Sequence, residues 1–204
     1  MTPRRARPWL AAPLLAALLA GCGIRPTQVP TEFGPAPSRV PCALSGTDSS
    51  TQTGRGIPVQ IFLLCASQLV TADRSVRIPD GPAEAERRVL VAQGLLDQLA
   101  VQPSSGEQQA GYTTGVTGGI RASGPRGKDP DGTFRLSTRP QDLTSYALAQ
   151  IVCTFADSEA TAAEDGSVVL GGPAGQPLRR YTCTTEVRSH PGTVAPPSSQ
   201  VTGP

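Results

Sequence analysis

Ile57-Pro58-Val59-Gln60-Ile61-Phe62-Leu63-Leu64-Cys65 is a β-branched and apolar run. It reads as a strand near the centre of a sheet, with Pro58 among its first residues, where a missing N–H is tolerated. Downstream, Leu69-Val70 and Val76-Arg77-Ile78 read as a shorter, more polar strand or strand pair. Asp80-Gly81-Pro82 then stops the strand and opens a helix. Pro82 suits the first helical position, and Glu84 and Glu86 favour the positive end of the helix dipole. Ala85, Val89, Ala92, Leu96 and Leu99 recur at helical spacing on one face, and Pro103 marks the end of the helix.

The second half of the chain repeats the alternation. Val116 to Ala122 and Thr133 to Ser137 flank the turn-rich stretch Gly124 to Gly132 and predict a hairpin. A second helix is expected over about 141–156, with Ala147, Leu148, Ile151, Val152 and Phe155 as its apolar stripe. Val168-Val169-Leu170 and Arg180 to Val187 supply the last strands, joined by Gly171 to Pro177. The order β-β-α-β-β-α-β-β predicts an α+β fold: a mixed, mostly antiparallel sheet with two helices packed on one face.

The ends differ from this middle. Arg4, Arg5 and Arg7 precede an apolar run from Trp9 to Ala20, too short to span a bilayer as a lasting helix. Leu19-Ala20-Gly21-Cys22 follows and resembles a bacterial lipobox. That resemblance implies cleavage after residue 21, a diacylglycerol on the Cys22 thiol, and a cell-membrane lipoprotein facing away from the cytoplasm. Two acyl chains supply the two signals that stable anchoring needs. Residues 22–56 are rich in Pro, Gly, Ser and Thr, without an apolar period, and read as a tether. Residues 189–204 have the same character and are expected to form a disordered tail. The domain is placed at residues 57–188.

Charge follows from this division. The chain holds 18 basic and 16 acidic residues. Three of the basic ones lie ahead of Cys22, which leaves 15 against 16 from Cys22 onward. The basic excess thus belongs to the leader, and nucleic acid loses its electrostatic case as a partner. The single His, His190, stands in the Pro/Gly/Ser-rich end and argues against His-dependent catalysis.

The order and local sequence resemble the GerMN domain of envelope lipoproteins related to sporulation and germination. The resemblance covers roughly residues 57–185. It rests on Val59-Gln60-Ile61-Phe62, on Gln68-Leu69-Val70 followed by Val76 to Pro79, and on Gly94-Leu95-Leu96 in the first helix. Pro103 to Glu107, Gly111 to Thr114, Phe134-Arg135-Leu136, Ala149 to Val152 and Val168 to Leu170 extend it. Val101-Gln102-Pro103-Ser104 departs from the Gly-Pro-Thr often found after that helix, and the four extra cysteines are not a general family feature. The resemblance implies a module for envelope assembly, a sporulation-type process or support of a membrane sensor.

With Cys22 acylated, Cys42, Cys65, Cys153 and Cys183 remain, an even number outside the cytoplasmic membrane. They favour two disulfides, with three possible connectivities. Cys153–Cys183 would staple the second helix to the last strand, and Cys42–Cys65 would pin the tether beside the first. On a helical wheel Cys153 lies away from Ile151 and Phe155, so its partner must reach round the helix. No Cys-x-x-Cys pair suggests a metal or redox site, and no metal or cofactor is expected.

Other motifs carry little chemistry. Gly124 to Asp129 has the Gly-Lys of a phosphate loop, but Asp129 occupies the Ser/Thr place and the stretch reads as a turn. Glu107 and Asp97 would need to meet to act as an acid/base pair. Tyr112, flanked by Gln109 and Thr113 in the segment after the first helix, is the candidate anchor for a protein partner. The expectation is therefore a non-catalytic, lipid-anchored envelope module that binds an unidentified envelope protein. The alternatives are an envelope hydrolase using carboxylate or Ser chemistry and a small substrate-binding lipoprotein.

Overall fold

The computed structural model of the chain describes Cys42, residues 56–173 and residues 175–201. Cys22, the leader and the rest of the tether lie outside the described residues. The architecture is α+β, with the strands divided between two sheets where one was expected.

The first sheet has the order β2-β1-β3. Strand β1 (Ile57–Cys65) pairs antiparallel along its full length with β2 (Gln68–Val76), from Ile57↔Val76 to Cys65↔Gln68. The connection is a two-residue turn whose central residues, Ala66 and Ser67, both have positive φ (49° and 64°). That conformation follows the strand twist, yet the turn lacks the Asn-Gly or Gly that advertises it in a sequence. Strand β3 (Tyr112–Thr113) pairs only with Leu64 and Cys65.

Helix α1 (Glu84–Ala100) crosses this sheet and buries Val91, Ala92, Leu95, Leu96 and Leu99. Ala92, Leu96 and Leu99 of the expected stripe are buried, and Val91 and Leu95 join them, while Val89 is half-buried and Ala85 at the first turn is exposed. Gly94 permits the close approach, because a Cβ there would collide with Val76 of β2. A short helix, α2 (Ser105–Gln109), follows Pro103 and opens with a capping box. Ser104 Oγ accepts from the Glu107 N–H, and a Glu107 carboxylate oxygen accepts from the Ser104 N–H.

The second sheet has the order β4-β5-β6-β7-β8. Strand β4 (Ala122–Ser123) and β5 (Thr133–Leu136) form the expected hairpin, with a shorter first arm. Strand β5 pairs in parallel with β6 (Ser167–Gly171), and the crossover carries helix α3 (Ser145–Asp157). Thr144 caps α3 by accepting from the Ala147 N–H at 3.2 Å. Strand β7 (Leu178–Thr182) pairs antiparallel with β6.

Two expectations at the C-terminal end are corrected. The strand read through Val187 stops at Thr182, and Thr185–Ser189 forms a helical turn, α4. Thr184 caps it by accepting from the Val187 N–H. Residues 189–201 are also no free tail: β8 (Ser198–Val201) adds to β7 from Tyr181↔Ser198 to Leu178↔Val201. Strand addition uses main-chain groups, so a polar sequence can join an edge that its composition does not predict. Val194 packs against the cluster around Cys153 and Val187. Gly192 lies against the outer end of the Tyr146 ring, where an added Cβ would come within 2.6 Å and the ring would have to shift.

Helix α3 is buried nearly all round, as a helix between two layers must be. Ala147, Ile151, Val152 and Phe155 join the main core with Ile61, Leu63, Phe134, Leu136, Val168 and Leu170. On the opposite side, Ala149 and Cys153 join Phe62, Leu64, Leu69 and Val187 in a second cluster. The far-side position of Cys153 on the wheel is thus filled. Among the described residues, no helix is long and apolar enough to cross a membrane.

Candidate functional site

Both cysteine pairs stand at disulfide geometry. Cys42 and Cys65 are bonded, with their Cα atoms 5.7 Å apart, and Cys153 and Cys183 are bonded, with theirs 4.9 Å apart. The second bond joins α3 to the residue after β7. The first holds Cys42 against the C-terminal end of β1, reinforced by a Cys42 N–H bond to the Ala110 C=O at 3.0 Å.

Tyr112 is not an exposed anchor. Its ring is 3% exposed within the main core, and its hydroxyl donates to the Cys42 C=O at 3.0 Å. Burial, together with the nearby Glu107 carboxylate, pushes its hydroxyl pKa up. Pairing with Cys65 turns the ring inward, whereas Gln109 and Thr113 remain exposed. The three residues therefore do not form one surface. A Tyr between glycine-rich and polar neighbours looks the same in sequence whether its ring points in or out.

Glu107 and Asp97 are not brought together as a pair. Asp97 accepts from Gln93 Nε2. Glu107 is 3% exposed and receives both Ser104 and a two-oxygen contact from Arg74 Nη2 at 2.7 and 2.9 Å. Burial alone would raise its pKa, but the Ser104 N–H and the Arg74 guanidinium outweigh it and hold the carboxyl below its ordinary value. Asp129 accepts two bonds from the largely buried Arg135 (2.6 and 2.8 Å), whose guanidinium also donates to the Gly172 and Gln176 carbonyls. The Gly-Lys stretch is thus a turn locked onto a structural arginine. Among the described residues, no group of three or more His, Cys, Asp or Glu is placed to hold a metal ion.

The feature that the sequence did not disclose lies along the first half of β1. At Phe62 the strand edge facing away from β2 is closed by α3 side chains. Thr154 Oγ1 accepts from the Phe62 N–H at 3.0 Å, and Gln150 Nε2 donates to the Phe62 C=O at 2.8 Å. Gln150 Oε1 also accepts from the Gly115 N–H at 2.7 Å. Two side chains one helical turn apart therefore do the work of a neighbouring strand. Main-chain direction alternates along a strand, so Gln60 and Pro58 turn their polar groups to this same edge. There α3 has ended and β3 does not reach. Among the described residues, no strand or side chain pairs with this stretch on the edge that faces away from β2.

The open edge borders a groove of about 990 Å³. Ile57, Val59, Val91 and Ala160 give it apolar surface. One wall is the start of α1, with Glu84 and Arg87, and the other is the end of α3, with Asp157, Ser158 and Glu159. Asp73 and Arg74 of β2 complete it; Asp73 accepts from Gln60 Nε2, and Arg74 is engaged by Glu107. The one hint in the sequence was Pro58, since proline within a strand marks an unpaired edge. Comparison with protein-family models, curated proteins and solved structures finds no match for this chain, so its likeness to GerMN domains rests on the sequence motifs alone.

Proposed function

We propose that the chain is a lipid-anchored module of the cell envelope, held to the membrane by a diacylglycerol on Cys22, that binds a protein partner and is not an enzyme. The observation that carries the binding role is the groove beside the unpaired half of β1. A strand edge offers main-chain donors and acceptors to another polypeptide, which is a recurrent mode of protein recognition. Two disulfides support an oxidising, extracytoplasmic setting. The lipobox-like Leu19 to Cys22 supports the anchor, and the likeness to GerMN domains supports a role in envelope assembly, a sporulation-type process or a membrane sensor.

The test is made in cells. Cys22→Ser should leave the protein unprocessed or released from the membrane fraction, and co-purification of its partner from detergent-solubilised membranes should depend on the folded domain. A matured Cys22→Ser protein that stays membrane-bound like the wild type would rule out lipid anchoring.

A further inference from the structure

Resting on the protein-binding reading above, we infer that the groove receives an extended, basic segment of the partner, which adds as a strand to Ile57–Gln60 of β1. Three independent features of the groove converge on this occupant.

The first is the edge. Beyond Phe62, the β1 edge presents the Gln60 N–H and C=O and the Pro58 C=O, without a partner among the described residues. Pro58 has no N–H to leave unsatisfied, so the edge is richer in acceptors than donors. An incoming main chain supplies the missing donors and accepts from Gln60.

The second is shape. The groove is open to solvent, flanked by α1 and α3, and about 990 Å³ in volume. Apolar Ile57, Val59 and Val91 give an extended chain a surface to cover. Side chains of an added strand alternate between two faces, so every second residue can reach the acidic walls.

The third is charge. Four carboxylates line the groove against two guanidiniums, and one of those, on Arg74, is already bound to Glu107. Glu84, Asp157 and Glu159 are exposed on the walls. Asp157 and Glu159 sit at the C-terminal end of α3, where the helix dipole is negative and the last turn carries no basic residue. Lys or Arg side chains of the incoming segment offset all of these.

The binding test uses the full chain purified in detergent and three labelled eight-residue probes: alternating Lys-Thr, alternating Glu-Thr and alternating Lys-Pro. The Lys-Thr peptide should bind at least about tenfold more tightly than either other probe. Binding should fall about tenfold in the Glu84→Gln/Asp157→Asn/Glu159→Gln variant, whose exposed positions leave the melting temperature unchanged, and similarly in about 0.5 M salt. Equal binding of the Lys-Pro probe would mean charge without strand pairing, and equal binding of the Glu-Thr probe would remove the charge argument; either overturns the inference. In cells, a photo-cross-linking residue at Ser158 should join a Lys/Arg-rich segment of another protein, with a matching residue at Ser199 as control. Cross-links from Ser158 to residues 43–55 of the same chain, or to a second copy, overturn it. Cross-links to a partner from Ser199 alone would overturn the groove as the site while sparing the protein-binding role. A partner that joins neither position and never co-purifies removes both.

Discussion

The two halves of β1 belong to one uninterrupted strand, yet they are finished in opposite ways. From Ile61 to Cys65 every residue is buried. One face meets α1 and the other the Val187 cluster, and the edge is sealed by Gln150, Thr154 and β3. From Ile57 to Gln60 exposed and half-buried residues alternate, and the edge stands open. Both halves pair equally with β2, so hairpin formation does not distinguish them. The difference comes from where α3 ends. A helix can close a strand edge only where it carries side chains of the right reach, and past Asp157 there are none. The sealed half is built into the core, and the open half leaves its outer edge to the groove.

Four measurements press on this contrast. Tyr112→Ala should cost about 4 kcal/mol in urea denaturation, because it empties a core position beside the sealed end and removes the bond to Cys42. A loss below 1 kcal/mol would mean that this end is not closed as described. Gln150→Leu should cost about 3 kcal/mol, since it orphans the buried Phe62 C=O and the Gly115 N–H together. A neutral result would show that water replaces the side chain and that the edge is not sealed.

The third measurement concerns acid. Glu107 has a carboxyl pKa held below its ordinary value of 4.5 in the fold. Its contribution is therefore complete at neutral pH and is lost as the pH falls below that value and through the lower, folded one. Acid titration of stability should show this loss in the wild type and a flatter curve in Glu107→Gln; parallel curves would count against the Arg74–Glu107 contact. Last, Gln60→Ala should change stability by no more than about 0.5 kcal/mol. By hydrogen exchange, the Gln60 amide should open far more readily than that of Phe62. Equal protection of the two amides would erase the contrast.

What the sequence disclosed divides along similar lines. Helix α1 was legible because Val89 to Leu99 repeats at helical spacing and Pro82 and Pro103 bracket it. Ala92, Leu96 and Leu99 of its expected stripe are buried, joined by Val91 and Leu95, while Ala85 is exposed. The two disulfides join the cysteines that chain order suggested, and the odd wheel position of Cys153 proved to mark a second core. The split into two sheets was not legible. Hairpins announce themselves locally, whereas the parallel pairing of β5 with β6 joins segments separated by a whole helix. Gln150 and Thr154 read as interruptions of an apolar stripe, and only the position of Phe62 explains them. Residues 198–201 show the same limit, because an edge strand is recruited by main-chain bonds that composition does not report.

The Cys42–Cys65 bond has a mechanical consequence. On the proposed anchoring at Cys22, the domain would be attached where the chain enters at Gly56, at the far end of β1. The disulfide moves that attachment to Cys42. At about 3.5 Å per extended residue, the greatest reach from the anchor shrinks from about 120 Å to about 70 Å. With such an anchor, opening one sulfur–sulfur bond would lengthen the leash by nearly half its full span without altering a single residue of the groove, and oxidation would then set how far from the membrane the domain could reach.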